Sequence, residues 1–148
     1  MSKILPDQII TQVSQVFSTQ LSKPVEILLF TRQHGCETCA DTQQLLEELT
    51  ALSDKLRLSI HDIEVETDLA KRMHVDKTPG IVLAGRDGDQ LIDYGVRVSG
   101  APSGYAFSTL VNDIILISGR DSRLQPMTRS VLQNIKTPVM LQVFSTPT

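Results

Sequence analysis

Residues 25–31, Val-Glu-Ile-Leu-Leu-Phe-Thr, form a nearly unbroken apolar run of strand length introduced by Pro24. A strand with one wet face alternates apolar and polar side chains, so a run this continuous belongs in the middle of a sheet, covered on both faces. Downstream, Leu45, Leu46, Leu49 and Leu52 recur at three- and four-residue spacing, which predicts a helix from about residue 39 to residue 53. Leu56, Leu58 and Ile60 then alternate with Arg57 and Ser59 as a second strand. Strand, helix and strand close as a right-handed crossover with parallel strands. The loop after the first strand therefore lies at the C-terminal edge of the sheet, where α/β folds keep their sites. That loop holds Cys36 and Cys39, the only two cysteines of the chain.

The rest of the chain builds outward from this unit. Residues 7–17 place Ile9, Ile10, Val13, Val16 and Phe17 on one helical face, with Pro6 where a first-turn proline is tolerated. Thr67 or Asp68 can cap a short helix running through Met73. After Thr78-Pro79-Gly80 come a strand at 81–84, a turn signal at 85–88 and a strand at 91–98, an antiparallel hairpin. Residues 103–118, between Pro102 and Gly119, carry the wide apolar face of a packed helix. The expected fold class is α/β, a central mixed sheet built as βαβ then ββα, with an extra N-terminal helix. Residues 1–23 form the helical extension and 24–119 the folded unit. Residues 120–148 add a helix at 125–135 and a strand at 139–144. Residues 138–145 echo 24–31, proline for proline and phenylalanine for phenylalanine, a weak sign that a second copy of the fold begins there.

Composition excludes several partners. Fourteen Lys and Arg against seventeen Asp and Glu, no dense basic run, four Phe, two Tyr and no Trp leave no electrostatic footprint or stacking platform for nucleic acid. The apolar stretches fall far short of the roughly 18 residues that span a bilayer. Residues 1–6 lack a signal-peptide apolar core, so no membrane association and a cytoplasmic location are expected.

Two cysteines are too few for a disulfide-stapled scaffold, so their C-x-x-C spacing carries the meaning. At i and i+3 of a helical turn, α-carbons come within the roughly 4.4–6.8 Å that a disulfide needs. Cys36, nearer the positive end of the helix dipole, is expected to be the attacking thiolate, and Cys39, one turn further in, to resolve the mixed disulfide. Glu37 opposes and a protonated His34 would assist lowering of the Cys36 pKa. The rival reading, half a zinc site, would draw on His34, His61 and His74, none at zinc-finger spacing, so no metal or cofactor is expected. His61, on a strand edge, and His74, at a helix C-terminus, read as surface residues. Thr78-Pro79 on its own is punctuation, since only about 5–6% of X-Pro bonds are cis.

Taken with the order of elements, four stretches resemble a known family: Phe30-Thr31-Arg32-Gln33-His34-Gly35-Cys36-Glu37-Thr38-Cys39, the stretch from Leu69 to Pro79, Tyr94-Gly95-Val96-Arg97-Val98 with its continuation to Gly104, and the ending Leu141-Gln142-Val143-Phe144-Ser145-Thr146-Pro147-Thr148. The order is similar to the thioredoxin fold, and the stretches resemble the glutaredoxin-like protein disulfide oxidoreductases, which carry two tandem thioredoxin-fold units, each usually with a C-x-x-C. The resemblance implies a thiol–disulfide oxidoreductase in which Cys36 attacks, Cys39 resolves, and Thr78 with a cis Pro79 offers its backbone to an extended substrate chain. It implies protein disulfide or dithiol substrates and a reductase as partners.

The departures are informative. In that family the Thr-Pro-Thr ending runs into a second C-x-x-C, and here the chain stops, so a first unit plus the opening of the next is expected, as an engineered fragment or a shortened natural form. The N-terminal domain of flavoprotein reductases that feed peroxiredoxins is a less apt likeness, because its first unit usually lacks the cysteine pair. Ile27-Leu28-Leu29-Phe30 offers no match for the carboxylate that many thioredoxins bury beneath their cysteines. The alternative to an enzyme is an interaction module that docks a partner, or a second copy as a homodimer, through the apolar strand at 139–144.

Overall fold

The computed structural model of the chain describes residues 2–146. In chain order the elements are α1 (Asp7–Gln20), β1 (Val25–Thr31), α2 (Cys39–Thr50), β2 (Leu56–Asp62), α3 (Thr67–Arg72), β3 (Gly80–Asp87), β4 (Gln90–Ser99), α4 (Tyr105–Gly119) and α5 (Pro126–Leu132). The sheet runs β2-β1-β3-β4, with β1 parallel to β2 and antiparallel to β3, and β3 antiparallel to β4.

The apolar run of β1 does what its composition requires. Val25, Ile27 and Leu29 enter one core with Val13 and Phe17 of α1, Leu46 and Leu49 of α2, and Leu110, Ile114 and Ile117 of α4. Leu28 and Phe30 point the other way, into a smaller core with Ala70 next to Ile63, Val82 and Ala84. Three helices thus cover one face and α3 the other, which leaves β1 without a wet side. The added helix α1 is part of the larger core rather than an appendage, since Phe17 is fully buried there. Ahead of it, the Glu48 carboxylate on α2 accepts the backbone N–H groups of Leu5 and Ile4, which holds its pKa below the usual range.

The hairpin differs from the sequence expectation in a way that geometry explains. Gly85, Arg86 and Asp87 are strand, and the turn falls on Gly88 and Asp89, between the paired residues Asp87 and Gln90. Gly85 serves close approach rather than chain reversal: a Cβ there would sit 2.6 Å from Cζ of Arg120. That guanidinium crosses the strand to donate to the carbonyls of Pro24 (2.9 Å) and Arg86 (3.0 Å). Across from it the ladder slips, so that Leu83 faces Val96 but Ala84 faces Asp93, leaving Tyr94 and Gly95 as a bulge in β4.

Glu26, buried at the start of β1, pairs with Arg86 of β3. It is about 16 Å along the strand from the end that leads to the cysteines, at roughly 3.3 Å per residue. It is a fold contact, and it gives Cys36 and Cys39 no acid. The short helix α3 starts after Glu66, whose side chain makes no cap, so neither Thr67 nor Asp68 is the cap residue. Towards the C-terminus α5 forms over seven residues, but 139–144 is not a strand. A strand exists only through a hydrogen-bonded neighbour, and no described strand borders this segment. Val139, Met140, Leu141, Val143 and Phe144 are all exposed. Of the Thr-Pro-Thr ending, Pro147 and Thr148 lie outside the described residues.

Candidate active site

The β1 strand ends at Thr31, and the chain crosses the sheet edge in a loop before α2 starts at Cys39. Gly35, at φ 75°, supplies the left-handed turn that an L side chain resists, immediately before Cys36. Cys36 lies ahead of the helix and is half-buried, while Cys39 opens it and is 6% exposed. The two form a disulfide with α-carbons 5.5 Å apart. The half-buried cysteine thus precedes the helix N-terminus and the buried one sits on its first residue. His34 and Glu37 flank the pair as exposed side chains.

Sheet register brings the second predicted element to the same place. Phe30 of β1 pairs with Gly80 of β3, so the Thr78-Pro79 bond, which is cis, lies beside the end of β1 from which the cysteine loop departs. The Pro79 carbonyl accepts Gly100 N–H at 2.9 Å. The N–H and C=O of Thr78 make no backbone hydrogen bond among the described residues.

Arg97, on β4, holds this edge in position. Its Nε donates to the Met73 carbonyl (2.6 Å), and its two terminal nitrogens grip Asp93 at 2.9 and 2.8 Å. Those hydrogen bonds keep the Asp93 pKa below the usual carboxylate range. Arg97 thereby ties the end of α3, where His74 turns left-handed at φ 54°, to the strand next to β3. Sequence reasoning met Arg97 only inside a family-like stretch. An arginine between two valines, on a strand otherwise reading as sheet, was the available signal for a strap.

His61 is held by partners of its own. His61 Nδ1 is 2.8 Å from Glu66 and its Nε2 3.0 Å from the Ser59 hydroxyl, with the ring 5.3 Å from that of Phe30. Both cysteine sulfurs are taken up by each other, so neither ligates a metal in this state. One further group is notable: Thr42, on the buried stripe of α2 that begins with Cys39, has its hydroxyl out of solvent and without a hydrogen-bond partner.

No protein-family model and no curated protein matches the sequence. Solved structures do. A protein disulfide oxidoreductase from Aeropyrum pernix K1 superposes with a TM-score of 0.76 at 24% identity, over 90% of this chain and 57% of that one. The NTD_N/C domain of the alkylhydroperoxide reductase AhpF from Enterococcus faecalis V583 gives 0.74 at 25%, over 85% and 58%. Trichomonas vaginalis thioredoxin gives 0.50 at 14%, over 73% and 86%. The fold is that of thioredoxin. On this thioredoxin fold the cysteine pair and the cis Thr78-Pro79 bond share one sheet edge, and the extra helix α1 packs against the core. The chain spans under three-fifths of the first two structures' length. Scores of 0.76 and 0.74 do not separate the oxidoreductase from the AhpF domain.

Proposed function

We propose that this chain exchanges disulfides with protein substrates. The observation that carries the reading is a closed disulfide between a half-exposed and a buried cysteine at the N-terminus of α2, beside a cis X-Pro bond whose preceding residue makes no backbone hydrogen bond among the described residues. In the reducing direction the Cys36 thiolate attacks a substrate disulfide, forming a mixed disulfide and releasing one substrate thiolate. The Cys39 thiolate then attacks Cys36 Sγ, the bond to the substrate breaks, and the substrate leaves with both its sulfurs reduced. Thr78 and Pro79 hold the substrate backbone in extended form while this happens. A dithiol reductase reopens the Cys36–Cys39 bond, and the cytoplasm, where thiols are kept reduced, suits the cycle.

The direct test is equilibration across a graded series of reduced and oxidised dithiothreitol, acid quench, alkylation and mass counting of free thiols. A single reversible step from two alkylated cysteines to none is expected, with a midpoint that sets the direction of flow. Absence of a step would return the pair to a structural role.

The exposed apolar segment supports a second role alongside the first. In this reading residues 24–119 are the exchange unit behind the helical extension 1–23, and residues from 120 onward are a separate helix and apolar segment available for pairing. Left uncovered, Val143 and Phe144, each at least 90% exposed, favour pairing with another copy. Sedimentation should show association that rises with concentration and disappears when residues 138–148 are deleted; a monomer at all concentrations would remove this role.

A further inference from the structure

Along α2 the buried positions are Cys39, Thr42, Leu45, Leu46 and Leu49, one stripe at helical spacing. Thr42 is therefore the next side chain below Cys39 on the same face, the i and i+3 relation whose Cβ atoms are about 5–6 Å apart. It is the one polar member of the stripe, and it is 1% exposed. A helical threonine ordinarily returns its hydroxyl to the carbonyl one turn back. Thr11, Thr19, Thr50 and Thr109 all do so here, at 2.9, 3.1, 2.8 and 3.1 Å. Thr42 does not: the Thr38 carbonyl receives its backbone N–H at 3.0 Å, and its Oγ1 has no partner among the described residues. A buried hydroxyl left unpaired costs stability, and a state that pairs it recovers that cost.

Opening the disulfide creates that state. When a dithiol thiolate attacks Cys36 Sγ, the S–S bond breaks and Cys39 Sγ leaves with the electron pair, a thiolate in a site closed to water. The dithiol's second thiolate then attacks its own sulfur bound to Cys36, closing the dithiol to a disulfide and releasing the Cys36 thiolate. The dithiol is oxidised by two electrons, the cysteine pair is reduced by two, and the two protons pass from the dithiol to the cysteines through solvent. At this edge Phe30, Pro79 and Gly80 bring no polar side chain, the Thr31 hydroxyl donates to the His61 carbonyl at 3.4 Å, and Thr78 lies on the loop ahead of β3. The charged groups nearby, His34, Glu37 and Asp41 around the cysteines and the Arg32 and Glu64 pair past the end of β1, are exposed or half-exposed. We propose that the Thr42 hydroxyl is the hydrogen-bond partner of Cys39 Sγ whenever the disulfide is open, donating to the thiolate as it leaves and as it attacks. This rests on the exchange reading above and assigns one of its residues.

The test compares the wild type with Thr42→Val, which keeps the shape and removes the hydroxyl, and Thr42→Ser, which keeps the hydroxyl. In dithiothreitol equilibria at one pH, Thr42→Val should favour the disulfide about tenfold more than the wild type, a midpoint roughly 30 mV more negative for this two-electron couple, with Thr42→Ser close to the wild type. Reduction by dithiothreitol should slow about tenfold in Thr42→Val alone. Oxidised Thr42→Val should melt no lower than the wild type, because the hydroxyl it loses was unpaired. Equal midpoints for Thr42→Val and the wild type overturn the proposal, as does a serine variant that shifts with the valine. Loss of stability or failure to fold in oxidised Thr42→Val also overturns it, since the hydroxyl would then already be bonded. A wild type without a reversible transition overturns the exchange reading itself, an outcome read independently of the variants.

Discussion

Cys36→Ser should reduce turnover of a protein disulfide substrate to the uncatalysed background, a loss of more than roughly a thousandfold, as removal of a sole nucleophile does. Cys39→Ser should also stop turnover but leave a different product: a one-to-one disulfide adduct between Cys36 and the substrate, visible by mass and released by dithiothreitol. The asymmetry follows from exposure. Cys36 stands half-open at the loop, whereas Cys39, 6% exposed, is shut off from another folded protein but sits 5.5 Å from Cys36 between α-carbons. On the proposed exchange, Cys36 should therefore begin the reaction and Cys39 finish it. Non-reducing electrophoresis of each variant with substrate checks both halves. Turnover persisting in Cys36→Ser, or adducts forming on Cys39 instead, would reverse the assignment.

The site was largely legible because its pieces are written locally. A continuous apolar run marks a central strand, a C-x-x-C after it marks the sheet edge, and a Thr-Pro ahead of a hairpin marks the neighbouring strand. What connects distant pieces was not legible. Gly85 looked like a turn, since nothing local says that the Arg120 guanidinium occupies the space of its Cβ. The buried pairing of Glu26 with Arg86 and the strap from Arg97 to Met73 join residues 60 and 24 positions apart, and periodicity carries no information about such partners. Nothing in the sequence singles out Thr42 on its amphipathic helix; the missing back-bond does. Residues 139–144 have the composition of a strand, but strand formation depends on a neighbour that the described chain does not place there.

Gly80→Ala should be the costliest single methyl that this edge can receive. A Cβ at Gly80 would lie 2.5 Å from Cγ1 of Val75 and 2.7 Å from the carbonyl oxygen of Lys77. The second contact is backbone, so no rotamer change relieves it, and the loop that carries Thr78-Pro79 must move instead. Forced packing of this kind costs about 1–3 kcal/mol. A melting temperature lower by several degrees is the expected stability result. Gly119→Ala is the matched control: its Cβ meets nothing within 4 Å and it lies at the end of α4, so a small gain is expected. The functional consequence separates docking from chemistry. Displacing Thr78 should raise KM for a protein disulfide while alkylation of reduced Cys36 by a small reagent proceeds at the wild-type rate, because the small reagent needs the thiolate but not the Thr78 backbone. If both rates fell together, the Thr78-Pro79 edge would be acting on the cysteines themselves rather than on the substrate chain.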